Sequence, residues 1–335
     1  MIRATLLALV ATLVGVASAS ASAEEHSEHT QPQFEHSKLG QSFALLQQRD
    51  AQLLSVGWRL AHANAPFCQQ TQQSIGLLLQ DLAGYGRNRE AMRELLDIES
   101  DIAVQAIAPG SPADVAGMEP NNEVLTIDGV RLHESQAGGR PAWMRLSQIT
   151  DSIDALLARN GSVAMAWRED SGELREAVLS GVEACSSRFQ VLDKGKKAAA
   201  DGKRVIFGRD FPGFEYAEPL FAAAVAHELA HNMLGHREWL SKAGRKRKNI
   251  RLTEREADRL MPWLLANAGY DPAAAGDFMQ AWGPRHSGGL FRKRTHDGWD
   301  ERAEFIEAEI AAIGRHSNGE GLADWARHFR RDIPL

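Results

Sequence analysis

Three residues in this chain have types and spacing that suit hydrolytic metal chemistry: His227, Glu228 and His231. They lie in the stretch 219–236, where Pro219 suits a first helical turn, the Ala-rich run favours helix and Gly235 suits its end. Histidines four apart on a helix share a face, so both imidazoles reach one Zn²⁺ at about 2.0–2.1 Å. Glu228, next to the first of them, is placed as the general base that takes a proton from water.

A catalytic zinc needs a third protein ligand and one open position. In the metzincin pattern a Gly and a third His follow at fixed offsets, where this chain has Leu234 and Arg237, and His236 is one place off register and should point away from the metal. In the gluzincin pattern a Glu on a separate helix completes the set, and the stretch 253–258 supplies Glu254 with Asp258 one turn on. Glu254 then serves as ligand, while Asp258 accepts a hydrogen bond from the far nitrogen of a ligand His, which fixes its tautomer. Glu256 is the rival ligand, about 200° round the helix from Glu254, with a capping box to Thr253 as its other reading.

These motifs together resemble metallopeptidase family forty-eight, the HtpX-like and CAAX-prenyl-protease group of minigluzincins. The stretch 200–208 is similar to that family's edge strand ahead of the active-site helix, and 268–274 to the turn after the Glu helix. Thr295-His296-Asp297, followed by Glu301-Arg302, looks like its Thr-His-Pro motif with Asp in place of Pro. The resemblance runs from Cys185 to about Ile313. It implies an α+β, mainly helical zincin domain with a small edge-strand sheet, one Zn²⁺ on His227, His231 and Glu254, and catalysis by Glu228. Val205, Ile206 and Phe207 would hold an extended substrate by strand addition. His296 is a candidate for transition-state hydrogen bonding or for the zinc's open position, its other reading being a surface loop residue. Arg302 either supports substrate or pairs with Asp300.

Upstream, apolar positions at Leu46, Leu53, Val56 and Leu60 mark an amphipathic helix over residues 43–62, ended by Pro66. Short strands and turns are expected next. Residues 108–129 resemble the core of a bacterial PDZ domain: Ser111-Pro112 starts a short helix, Gly117 ends it, 124–127 form a strand and Asp128-Gly129 turns it. Asn121-Asn122 replaces the usual Gly-Asp, and Asn tolerates the left-handed conformation. Ile149, Ile153, Leu156 and Leu157 suit a groove-lining helix, and 162–179 a hairpin turning at 170–172. Such a domain binds C-terminal peptides as an added strand; Ile75-Gly76-Leu77 is the candidate carboxylate loop, with ordinary core strand as the alternative.

The resulting organisation is a signal peptide over 1–23, a mobile leader over 24–37, an N-terminal helix over 38–66, a PDZ-like domain over 67–184 and a metallopeptidase domain over 185–335. The leader reading rests on a polar, His-rich, aperiodic segment, and the signal peptide on Arg3, the apolar run 4–17 and the Ala21-Ser22-Ala23 cleavage site. A periplasmic or secreted protein follows, and there the pair Cys68 and Cys185 is the candidate disulfide. If the first helix packs on the peptidase, the PDZ-like unit is an insertion clamped at its base by that bridge. The basic run 245–248 reads as a solvated loop, with an anionic membrane surface or acidic client as alternatives, and Trp239, Trp263, Trp282 and Trp299 read as core.

In 335 residues, 44% hydrophobic and 24% charged content excludes a disordered or collagen-like chain, and the net charge of −6 argues against nucleic-acid binding. Two function classes remain: a zinc endopeptidase acting on exported or envelope proteins, with the PDZ-like unit recruiting or gating, and a peptide-binding or chaperone-like protein with a latent metal site.

Overall fold

The computed structural model describes residues 30–132, 141–286, 297–316 and 321–333, with side chains from residue 38 on except at 286. The expected signal peptide and His296 lie outside the described residues. Met1–Gln41 and Ser42–Leu335 are separate units by their internal contacts.

The chain is α+β. Its elements run α1 (Thr30–Ala63), β1 (Thr71–Ser74), β2 (Leu77–Asp81), α2 (Arg89–Leu96), β3 (Ile102–Ile107), α3 (Pro112–Val115), β4 (Glu123–Ile127), β5 (Val130–Arg131), α4 (Ala142–Asn160), β6 (Ser162–Arg168) and β7 (Leu174–Ser180). There follow β8 (Val182–Cys185), β9 (Arg188–Leu192), β10 (Ala198–Ala200), β11 (Arg204–Gly208), α5 (Glu218–Met233), α6 (His236–Ala243), α7 (Arg247–Asn267), α8 (Ala274–His286), α9 (Trp299–His316) and α10 (Trp325–His328).

Two large hydrophobic cores divide most of these elements, and a small cluster of Leu54, Ala106 and Ala108 joins α1 to β3. One joins Leu53, Val56 and Leu60 of α1 to Phe207, to the Ala-rich flank of α5 and to Leu260, Trp263 and Leu264 of α7. The other lies wholly within 75–179, where Ile102, Val104, Val124 and Trp167 of the sheet meet Ile149, Ile153 and Leu157 of α4. The first core is therefore built from chain on both sides of the second, so residues 75–179 interrupt it as an insert. β1 pairs antiparallel with β8 at the insert's base, and Cys68 and Cys185 are bridged there with Cα atoms 5.6 Å apart.

Local rules account for the insert. Ser111 Oγ accepts from Asp114 N at the start of α3, Asn121 takes φ 74°, and Asp128 and Gly129 at φ 50° and 77° turn β4 into β5. Its sheet runs β2-β3-β4-β6-β7, with β5 on β4.

Three expectations are corrected. Residues 30–37 belong to α1 rather than to an unstructured leader, because extending an existing helix outward costs far less than nucleating one. Residues 82–96 form a 3₁₀ segment and α2 instead of strands. The segment 205–207 is not an edge: β11 lies between β10, antiparallel, and β9, parallel, and Val205 and Phe207 are fully buried.

Candidate metal centre

α5 is apolar nearly all round, with Phe221 to Ala226, Leu229 and Ala230 buried, so it runs through the first core and its position is set by packing. Beside it packs α7, whose face repeating every fourth residue carries Glu254 and Asp258. The two helices bring His227, His231 and Glu254 together as a possible metal-binding triad, with one donor atom from each within 4.8 Å of the others. His227 Nε2 and His231 Nε2 are 3.3 Å apart, and Glu254 oxygens lie 3.5 and 3.7 Å from them. Donors at 2.0–2.1 Å from a tetrahedral ion are separated by about 3.3–3.4 Å, which the two imidazole nitrogens match, while the Glu254 oxygens, one toward each ring, lie a few tenths of an ångström further off.

The electrostatics agree. Burial pulls His231 down to about 3, which leaves its imidazole neutral and able to ligate. Burial opposes charge on His227 too, yet the carboxylates of Asp258 and Glu254 raise it to about 10. Two acids converging on a buried imidazole favour a positive charge at this point. His227 Nδ1 lies 3.0 Å from Asp258 Oδ1, the pairing expected behind a ligand His. Asp258 is fully buried; against the cost of burial, Arg302 holds its carboxyl down at about 2 through two hydrogen bonds of 2.6 Å. Arg302 thus pairs with Asp258 instead of Asp300, and it also lines the cleft beside the triad. Asp297 accepts from Arg255 Nε at 2.9 Å, which fastens the start of α9 to α7.

Glu256 is not a ligand. It faces away from the triad, Thr253 lies inside α7 with its hydroxyl donating to Ile250 O, and the helix starts earlier, at Arg247. No capping box forms. His236 is also not a ligand, as its register implied. The basic run 245–248 is exposed, and Arg247 and Lys248 already belong to the first turn of α7.

The triad opens into a cleft of about 680 Å³ that Glu228 also lines. One wall is β10, an edge strand of the small sheet; the other includes Phe211, Phe278 and Trp282, so Trp282, partly buried and packed against the first core, also borders the cleft. Lys197 O accepts from Gly208 N, and Asp201 N donates to Arg204 O. The alternation of an antiparallel ladder then turns the main-chain groups of Ala199 toward β11 and those of Ala198 and Ala200 outward. Asn232 of α5 fixes this hairpin, accepting from Gly202 N at 2.7 Å and donating to Ser187 Oγ at 2.9 Å. The hairpin was legible in the Asp201-Gly202 pair, a standard turn signal.

In the insert, the groove between β2 and α4 measures about 90 Å³ and is walled by Trp58 of α1 and by Arg188 and Phe189 of β9. In the candidate carboxylate loop, Gly76 N donates to Ser74 Oγ at 3.2 Å and Gly76 O accepts from Ala108 N at 2.9 Å. Arg188 reaches across to Asp151 and Asp154 of α4, joining the groove's helix to the sheet beside the metal centre.

No family model and no curated protein matches this chain in sequence comparison.

Proposed function

We propose that the chain is a zinc-dependent endopeptidase of the gluzincin type, similar to metallopeptidase family forty-eight, that cleaves exported or envelope proteins in the periplasm or outside the cell. The observation that carries this reading is the convergence of two imidazole nitrogens and a carboxylate at the floor of a cleft that a fourth residue, Glu228, also lines. His227, His231 and Glu254 would hold the ion, whose chemistry is to acidify water and polarise a carbonyl. Asp258, held by Arg302, keeps His227 in the tautomer that leaves Nε2 free. Glu228 takes the proton from the attacking water and passes it to the leaving amine. The edge of β10 offers outward main-chain groups to an extended substrate, and Phe211, Phe278 and Trp282 cover the opposite side with apolar surface. The bridge between Cys68 and Cys185 is compatible with an oxidising compartment. For the PDZ-like insert, the narrow groove and the Arg188 link favour gating over recruitment of C-terminal peptides.

Zinc content by mass spectrometry and casein cleavage with and without chelator test the reading in wild type, Glu228→Gln and Glu254→Ala. One zinc per chain is expected in wild type and Glu228→Gln and is lost in Glu254→Ala, with chelator-sensitive cleavage in wild type alone. Cleavage that survives in Glu228→Gln rejects the peptidase mechanism.

A further inference from the structure

The two imidazoles of the triad are supported from behind in different ways. His227 meets a carboxylate directly, at Asp258. Behind His231 stands another imidazole: His236 Nδ1 is 2.9 Å from His231 Nδ1, and His236 Nε2 is 3.0 Å from Glu256 Oε2. His236 and Glu256 are buried, at 1% and 0% exposure.

Two ring nitrogens this close share one proton, and the chemistry settles which ring carries it. His231 presents Nε2 to the triad, so as a neutral ligand it keeps its proton on Nδ1 and donates it to His236 Nδ1. His236 then carries its own proton on Nε2 and donates it to Glu256. Every donor in this line has an acceptor, in one tautomeric arrangement. The break at Gly235, where φ is +66°, makes it possible: α5 stops, α6 starts at once, and His236 is turned back beneath the last turn of α5.

Glu256 is in turn held by the end of the chain. Its Oε1 accepts from the main-chain N–H of Asp332 at 2.5 Å and of Ile333 at 2.8 Å, and its Oε2 from Arg331 Nε at 2.8 Å. Arg331 also donates to Leu234 O at 3.1 Å, next to the break, and Asp332 accepts from Arg259 at 3.0 Å. Three donors fix a carboxylate that a lone His236 would leave free to swing.

We infer that His236 and Glu256, clamped by residues 331–333, form a positioning relay for His231, so that the affinity of the triad for its metal depends on docking of the C-terminal segment. The inference rests on the metal reading above and adds to it a structural dependence on residues far from the cleft. Its two nitrogens being engaged on His231 and Glu256, His236 has none left for an ion, so its part is to orient a ligand.

Competition with a fluorescent zinc chelator measures zinc affinity on the full mature chain, and thermal melting of the metal-free protein reports folding. His236→Phe keeps an aromatic ring but removes the acceptor and donor; zinc affinity falls about 10–100-fold, as for loss of groups behind a metal ligand. His236→Gln restores both roles, its carbonyl accepting from His231 and its amide donating to Glu256, and holds affinity within about threefold of wild type. A role in packing alone would favour Phe over Gln, so the order of the two variants decides. Arg331→Met, which removes one of the three donors to Glu256 and leaves the main-chain pair, lowers affinity in the same direction by less than His236→Phe.

Phe binding zinc as tightly as wild type, or Phe and Gln losing affinity alike, overturns the relay. An unchanged affinity in Arg331→Met removes the C-terminal segment from it. Wild type that takes up no zinc overturns the metal reading and the relay together, a result separate from either of those.

Discussion

Asp50 carries a cost that the structure allows to be removed. It projects from α1 into the junction of α1, β3 and β9, 5% exposed, where Oδ1 accepts from Val191 N at 2.9 Å and Oδ2 from Gln105 Nε2 at 2.8 Å. Burial outweighs these two hydrogen bonds and pushes its carboxyl up from 3.8 to about 6. Below pH 3.8 the folded and unfolded chains both hold the proton, and burial costs nothing extra. Between pH 3.8 and about 6 the unfolded chain releases it first, so stability falls as pH rises and levels off above 6. A raise from 3.8 to about 6, at 1.36 kcal/mol per unit, amounts to about 3 kcal/mol at neutral pH. Asn at this position cannot ionise. Its carbonyl keeps the bond from Val191 N, and its amide donates to Gln105 once that amide turns over, engaging an Oε1 that has no partner among the described residues. Asp50→Asn is therefore more stable than wild type by about 3 kcal/mol at pH 7.5 and equal to it near pH 4, read from urea midpoints across that range. Tyr85, pushed up to about 12 by its own burial and then by Asp50, titrates lower in the variant by ultraviolet absorbance. A stability difference that does not change with pH, or a variant less stable at pH 7.5, refutes the reasoning.

Two further outcomes follow from the insert's base and from the sheet edge. Replacing Cys68 and Cys185 together by Ser opens a bridge spanning 117 positions; loop-closure entropy sets the loss at about 4–5 kcal/mol in denaturant unfolding, while zinc affinity stays at the wild-type value because the ladder of β1 and β8 still closes the base. Ala198→Pro removes an N–H that faces the cleft and leaves the ladder to β11 whole, so KM for casein rises about 2–10-fold with melting unchanged, the value of one main-chain hydrogen bond. Ala199→Pro, whose N–H faces β11, lowers the melting temperature instead, and identical behaviour of the two variants argues against strand addition at this edge.

What the sequence made legible was what local chemistry decides. The pair His227 and His231 needs only helical spacing, and Glu254 with Asp258 only one further turn; Asn121, Gly117 and Asp128-Gly129 each adopt the backbone their type tolerates. The edge strand was misplaced because Val205 to Phe207 is apolar enough to be either edge or centre, and only pairing on both flanks distinguishes them. The part of Arg302 was hidden by its distance of 44 positions from Asp258, and that of Glu256 by its distance of 77 from Ile333. His236 and Glu256 each stood out alone, yet their joint arrangement requires the fold of the chain's end.

The closed base of the insert also has a consequence for how the chain is made. During synthesis α1 emerges first, with Leu53, Val56 and Leu60 exposed, while Phe221 and Trp263, which cover them, arrive more than 150 positions later. The insert can condense in that interval, because its own core lies within 75–179. Once it has, residues 71–74 and 182–185 are delivered side by side, and the long excursion between α1 and α5 shortens by the length of the insert. The insert thus acts as a splint that holds the two halves of the first core within reach of each other before either is packed.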